Sequence, residues 1–104
     1  QLRRVKEFVI GGALNYGRDF YKILKQNRIN TVKCFADNGY ERYKNGVYGN
    51  RVLSLTDAVA QNAGAFFVVT AQCYVMELIR QLVRLGVDID RMDCFIVVNT
   101  GMIL

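Results

Sequence analysis

The run Ala65-Phe66-Phe67-Val68-Val69-Thr70 narrows most sharply what this chain can fold into. Successive residues are apolar, so a strand made of them is apolar on both faces. Such strands belong to parallel sheets that helices cover on both sides. Three other segments read as strands: Val5–Ile10, Thr31–Ala36 and Cys94–Val98. Between the first two, Tyr16, Phe20, Ile23 and Leu24 recur at i, i+4, i+7 and i+8 and predict a helix, with Arg18, Lys22 and Lys25 on its other side. Val75, Leu78, Ile79, Leu82 and Val83 predict a second helix, which Gly86 ends from the C′ position. The order β-α-β-(loop, short α)-β-α-β predicts an α/β fold: a three-layer Rossmann-like domain with a parallel sheet of four or five strands, right-handed crossovers and helices on both faces.

The segments in between are less regular. Asp37-Asn38-Gly39 carries turn chemistry at the end of the second strand. Tyr40 to Arg51 is polar, aromatic and glycine-spotted, and predicts a loop with a short strand around Val47-Tyr48. Ser54 or Thr56 then caps a short helix through Ala60. Tyr40 and Lys44 have the Y-x-x-x-K spacing of short-chain dehydrogenases, but they fall in a loop, where a chance match is the better account. Tyr40, Tyr43 and Tyr48 read as an aromatic lid over the sheet edge, with a cover for a base or sugar as the alternative.

The chain of 104 residues holds one domain, and 52% hydrophobic content supplies its core. It begins at Gln1 and ends on the apolar Gly101-Met102-Ile103-Leu104, so we expect a piece of a longer protein. That tail could pack on other domains of the same polypeptide or on a second copy, making a homodimer. No apolar run approaches the ~20 residues of a membrane span, which argues against a membrane partner. There is no histidine, and Cys34, Cys73 and Cys94 are far apart, which excludes the usual zinc patterns. Cysteines inside apolar runs fit a reducing cytoplasm. Cys73 stands at a strand-to-helix junction and has no base to activate it. Residues 1–51 hold 11 basic and 4 acidic side chains, +7, and residues 52–104 hold 3 and 5, −2. The positive half suits a phosphate. Its cations are scattered singly and no RNP-like motif is present, so nucleic acid is not expected as a partner.

Gly12-Ala13-Leu14-Asn15-Tyr16-Gly17 lies after the first strand and opens the first helix, where a Rossmann-type sheet binds phosphate. The first glycine permits a tight turn, and the last lets the helix approach the strand. Leu14 stands where the middle glycine of G-x-G-x-x-G lets a phosphate approach the backbone. Leucine there adds bulk and disfavours positive φ. The helix N-terminus keeps unpaired N–H groups and partial positive charge. Asp37, 25 residues after Gly12, is placed to hold a ribose hydroxyl, and a plain turn is the alternative. Thr70 and Gln72, at the end of the third predicted strand, either face a ligand or cap the following helix.

The runs F-V-I-x-G-A-x-N-Y-G-R, V-K-C-F-A-D-N, G-N-R-V-L-S-L, F-F-V-V-T and Q-L-V-R-L-G-V fall between Phe8 and Val87 and carry a resemblance that extends over about residues 5–96. Together they resemble small Rossmann-like domains of bacterial surface-polysaccharide and nucleotide-sugar proteins. These include the N-terminal domain of PglD-type sugar acyltransferases and the CoA-binding-like domain of nucleotide-sugar dehydratases. The resemblance implies binding of a nucleotide or nucleotide-sugar at Gly12, Ala13, Asn15, Tyr16, Gly17, Asp37 and Asn38, and Leu14 departs from its pattern. The expected function is a non-catalytic nucleotide or nucleotide-sugar binding module of a sugar-modifying or polysaccharide-biosynthesis protein. The rivals are a structural module with a lost ligand site and, behind it, an NAD-dependent oxidoreductase domain, whose catalytic residues the chain does not display.

Overall fold

The computed structural model describes residues 7–29, 31–70 and 74–95. Its strands are β1 (Phe8–Gly11), β2 (Val32–Ala36), β3 (Val52–Leu53), β4 (Phe66–Val69) and β5 (Met92–Cys94). All pair in parallel, in the order β3-β2-β1-β4-β5. The helices are α1 (Asn15–Gln26), α2 (Leu55–Gln61) and α3 (Val75–Arg84), and 3₁₀ turns lie at Tyr40–Tyr43 and Ile89–Arg91.

Alternation along the strands divides the core in two. Val9, Cys34, Ala36, Phe67 and Val69 face one side, where α2 and α3 bring Leu55, Ala58, Leu78 and Leu82. Ile10, Phe35 and Val52 face the other, where Leu24 of α1 packs with Ala13 and Val47. The result is the α/β/α sandwich that the continuous apolar runs predict. Cys34 is buried in the first of these layers, and burial pushes its thiol up from its ordinary value, opposed in part by Arg51, Asn62 and Lys33. A thiol kept protonated in this way is a poor nucleophile.

Local chemistry sets the helix ends. Ser54, not Thr56, caps α2: its hydroxyl oxygen accepts from the Asp57 amide at 3.1 Å. At the end of α3, Gly86 adopts φ +96, its amide donates to Val83 O, and the Val87 amide donates to Leu82 O. This is a Schellman stop with Val87 buried over the core. The end of α1 makes the same pair of bonds, Arg28 to Lys25 O and Ile29 to Leu24 O. Here Arg28, at φ +60, stands where glycine is usual.

Two strand expectations need correction. The short strand foreseen around Val47-Tyr48 lies instead at Val52–Leu53, beside β2. Val47 and Asn50 exchange two backbone hydrogen bonds of 2.9 Å across Tyr48-Gly49, a hairpin turn with φ +51 and +78 at its centre. That turn reverses the chain before a strand can run. The last strand starts at Met92, ahead of Cys94, and residues 96–98 of the predicted run lie outside the described residues.

Candidate functional site

In a doubly wound sheet, the chain leaves β1 in one direction and β4 in the other. The C-terminal ends of those two neighbours therefore open a crevice. Here it is a cleft of about 410 Å3 lined by Gly12, Leu14, Asn15, Tyr16 and Gly17 after β1, Asp37 and Asn38 after β2, Thr70 after β4, and Tyr74 and Leu78 of the next helix. The fold thus brings together Gly12, Leu14, Asn15, Tyr16, Gly17, Asp37, Asn38 and Thr70 from the sequence-predicted set. Gln72, and Cys73 beside it, lie outside the described residues.

The glycine turn is fixed from three sides. Gly12 adopts φ +112, and its amide donates to Ala36 O at 2.7 Å. Thr70, 1% exposed, donates its hydroxyl to Gly11 O at 2.8 Å, while its amide donates to the same carbonyl. Thr70 is therefore spent on the turn and does not cap the helix. At Gly17, an added Cβ would collide with the Gly12 carbonyl oxygen and sit 3.2 Å from Thr70 Oγ1. Only glycine lets α1 come this close to the turn.

Asp37 is the third support. One carboxylate oxygen accepts from the Ala13 amide at 2.8 Å, and the other accepts from the Gly39 amide at 2.7 Å. Asp37 thus closes its own turn and ties the end of β2 to the glycine turn. Each oxygen keeps a lone pair for a hydroxyl donor from the cleft. Ala13 is fully buried, and its amide belongs to Asp37, so it has no N–H to offer a ligand. Asn38 pairs with Gln81 of α3 at 3.0 Å and bridges the cleft between β2 and that helix.

Leu14 differs from expectation in its backbone. It has φ −89 and ψ −156, an extended conformation open to any residue. The positive φ belongs to Gly12. The Leu14 side chain is 63% exposed at the lip of the cleft and does not fill it. It occupies the N-cap place of α1 without a capping side-chain bond, and the first turn has no acidic residue. Among the described residues, no group accepts from the amides of Asn15, Tyr16 or Gly17. Three donors and the positive end of a 12-residue helix therefore face the cleft. Arg18 does not line the cleft: its Nε donates to Ala13 O at 3.2 Å and its guanidinium lies 5.9 Å from the Tyr48 ring centre.

Two contributors were not picked out for the site in the sequence. Tyr74, 69% exposed, and Leu78 form an apolar wall opposite Asp37. Leu78 reads as core by its period, and it does both jobs. The signal for Tyr74 was its place just before the helix that follows β4. The Tyr40/Lys44 spacing gains nothing from the fold, since it straddles a 3₁₀ turn and not one face of an α-helix. Of the tyrosine lid, Tyr43 packs toward the α1-side core, and Tyr48 stacks on Tyr21 at 5.2 Å and 17°. Among the described residues, no group of three or more acidic or cysteine side chains is placed to hold a metal, and no helix is long and apolar enough to cross a membrane.

Fold and cleft together define a Rossmann-like α/β domain open at its switch point. No protein-family model matches the chain, and no curated protein matches it. Solved structures do. The chain is similar to RSP, a Rex-family repressor, with TM-score 0.69 and 15% identity over 94% of this chain and 55% of that one. The same repressor in complex with β-NADH matches with TM-score 0.66 and 15% identity, over 93% of this chain and 55% of that one. Its complex with β-NAD+ and operator DNA also matches with TM-score 0.66 and 15% identity, over 93% and 52%. The chain therefore spans about half the length of these repressor chains, and at this identity the likeness establishes the fold.

Two expectations change with this comparison. None of these three structures is a sugar-modifying enzyme, so the PglD-type likeness rests on motif resemblance alone. The exclusion of nucleic acid is overturned, because the fold occurs in a repressor solved on operator DNA. The exclusion failed for a physical reason: a DNA-reading motif missing from a stretch that matches about half of a repressor chain says nothing of the other half.

Proposed function

We propose that this domain is a nucleotide-binding module of a longer protein, and that it takes an adenine nucleotide without transforming it. The observation that carries the reading is the Asp37 carboxylate, held at the cleft by the Ala13 and Gly39 amides with lone pairs to spare. A ribose diol meets that carboxylate, the base lies against Tyr74 and Leu78, and phosphate faces the first turn of α1. The complexes of the similar repressor with β-NAD+ and β-NADH support the choice of an adenine nucleotide.

Calorimetric titration with NAD+, NADH, ADP, UDP-sugars and CoA tests this. A true ligand at 100 times its Kd raises stability by about 2.7 kcal/mol. Asp37→Ala is expected to weaken the bound nucleotide at least ten-fold. A response to UDP-sugars alone would instead favour the nucleotide-sugar role in a sugar-modifying protein. A second reading, a repressor-like protein that couples nucleotide to DNA, draws on the operator complex. Duplex DNA offered to the full-length protein, with and without nucleotide, tests it.

A further inference from the structure

We infer that the cleft takes a single nucleotide, an adenosine mono- or diphosphate, in preference to a dinucleotide. The inference rests on the nucleotide-binding reading above and narrows its ligand class. It starts from the backbone at Leu14. With φ −89, this position has no conformational need for glycine. In the dinucleotide turn, glycine at this position provides room for the bridging diphosphate to pass close to the backbone. Leucine leaves the fold of the turn intact and takes away that passage. Its side chain stands at the lip of the cleft, beside the amides of α1.

The adenosine side has no such obstacle. Asp37, Asn38, Tyr74 and Leu78 line it, and the Asn38–Gln81 pair bridges β2 to α3 there. A nucleotide entering on that side can end at the helix. Its terminal phosphate reaches the Asn15, Tyr16 and Gly17 amides end-on and need not cross Leu14. A terminal phosphate also carries close to two negative charges near neutral pH, against one for each bridging phosphate, and gains more from the helix N-terminus.

The test is calorimetric titration of the full-length protein with AMP, ADP, NAD+ and NADH, for the wild type, Leu14→Gly and Leu14→Ala. We expect AMP or ADP to bind at least ten-fold tighter than NAD+ or NADH in the wild type. Leu14→Gly should raise the ratio of NAD+ to ADP affinity at least ten-fold, with Leu14→Ala between. The position is exposed and unstrained, so both variants keep the fold, which circular dichroism checks. NAD+ or NADH binding as tightly as ADP in the wild type overturns the inference and leaves the nucleotide reading standing. An affinity ratio indifferent to Leu14→Gly overturns it too. If no nucleotide binds, both fall together.

Discussion

Two kinds of turn position in this domain show what glycine is for. At Gly17 the backbone is helical, and glycine is required because a side chain would run into the Gly12 carbonyl. At Arg28 and Tyr48 the backbone is left-handed, at φ +60 and +51, yet ordinary side chains sit there. A left-handed conformation costs a non-glycine residue roughly 1–2 kcal/mol, which a well-packed domain absorbs. A collision between fixed backbone segments is not absorbed. Leu14 belongs to neither kind: its φ is ordinary and its side chain is free. Glycine's absence there costs the fold nothing, so its effect falls on whatever enters the cleft.

Gly17→Ala should have the largest effect. The methyl group forces α1 away from the turn and away from Thr70. We expect a loss of about 3 kcal/mol or more, at or beyond the upper end of overpacking effects, read by urea unfolding. A loss below about 1 kcal/mol would show that α1 shifts freely and would remove the contrast with Leu14.

Asp37→Ala comes next. It leaves the Ala13 and Gly39 amides without their acceptor, and Ala13 is fully buried. A stability loss of about 2 kcal/mol is expected from unpaired donors. Asp37→Asn, which retains one acceptor oxygen, should lose about half as much. Equal stability of all three proteins would mean that water replaces the carboxylate and that Asp37 is placed for ligand alone.

These two predictions concern residues that differ in how visible they were. Most of the sheet was legible because β1 and β4 are continuous apolar runs, β2 is apolar but for Lys33, and α1 and α3 keep a clean 3.6-residue period. The two-residue β3 was not, since Val52–Leu53 is too short to show a period and pairs only because β2 offers an open edge. In the site, Gly12, Gly17 and Asp37 were legible from position alone. What Asp37 does was only half visible: spacing suggested a ribose contact, and the fold adds two backbone amides that no spacing encodes. Thr70 reads as a cleft donor, but its hydroxyl turns inward to Gly11 O, a partner 59 residues away.

A smaller effect, of the opposite sign, is expected at the end of α1. Arg28→Gly keeps both Schellman bonds and removes the left-handed strain. The glycine's greater freedom in the unfolded chain takes back part of the gain. A net stabilisation of about 0.5 kcal/mol is expected, against Gly86→Ala, which should destabilise α3 by about 1 kcal/mol because it places a side chain at φ +96. The pair makes a direct exchange of roles between two helix ends with the same hydrogen bonds, and thermal unfolding reads both.

The smallest effect is expected at Tyr48. Tyr48→Asn gives the hairpin an Asn-Gly centre, the sequence its two positive φ angles favour. It also removes the ring stacked on Tyr21, which lies within 6.0 Å of Lys22 and 5.9 Å of Arg18. Strain relief of roughly 1 kcal/mol is set against aromatic and cation–π losses of similar size at an exposed site. The midpoint should move by less than the equivalent of about 0.5 kcal/mol. A clear gain would show that the stack contributes little and that the chain carries strain at Tyr48 without structural return. A clear loss would show that side-chain contacts hold this turn in its left-handed form, and would place Tyr48 with Gly17 among the positions where packing, and not backbone preference, decides the residue.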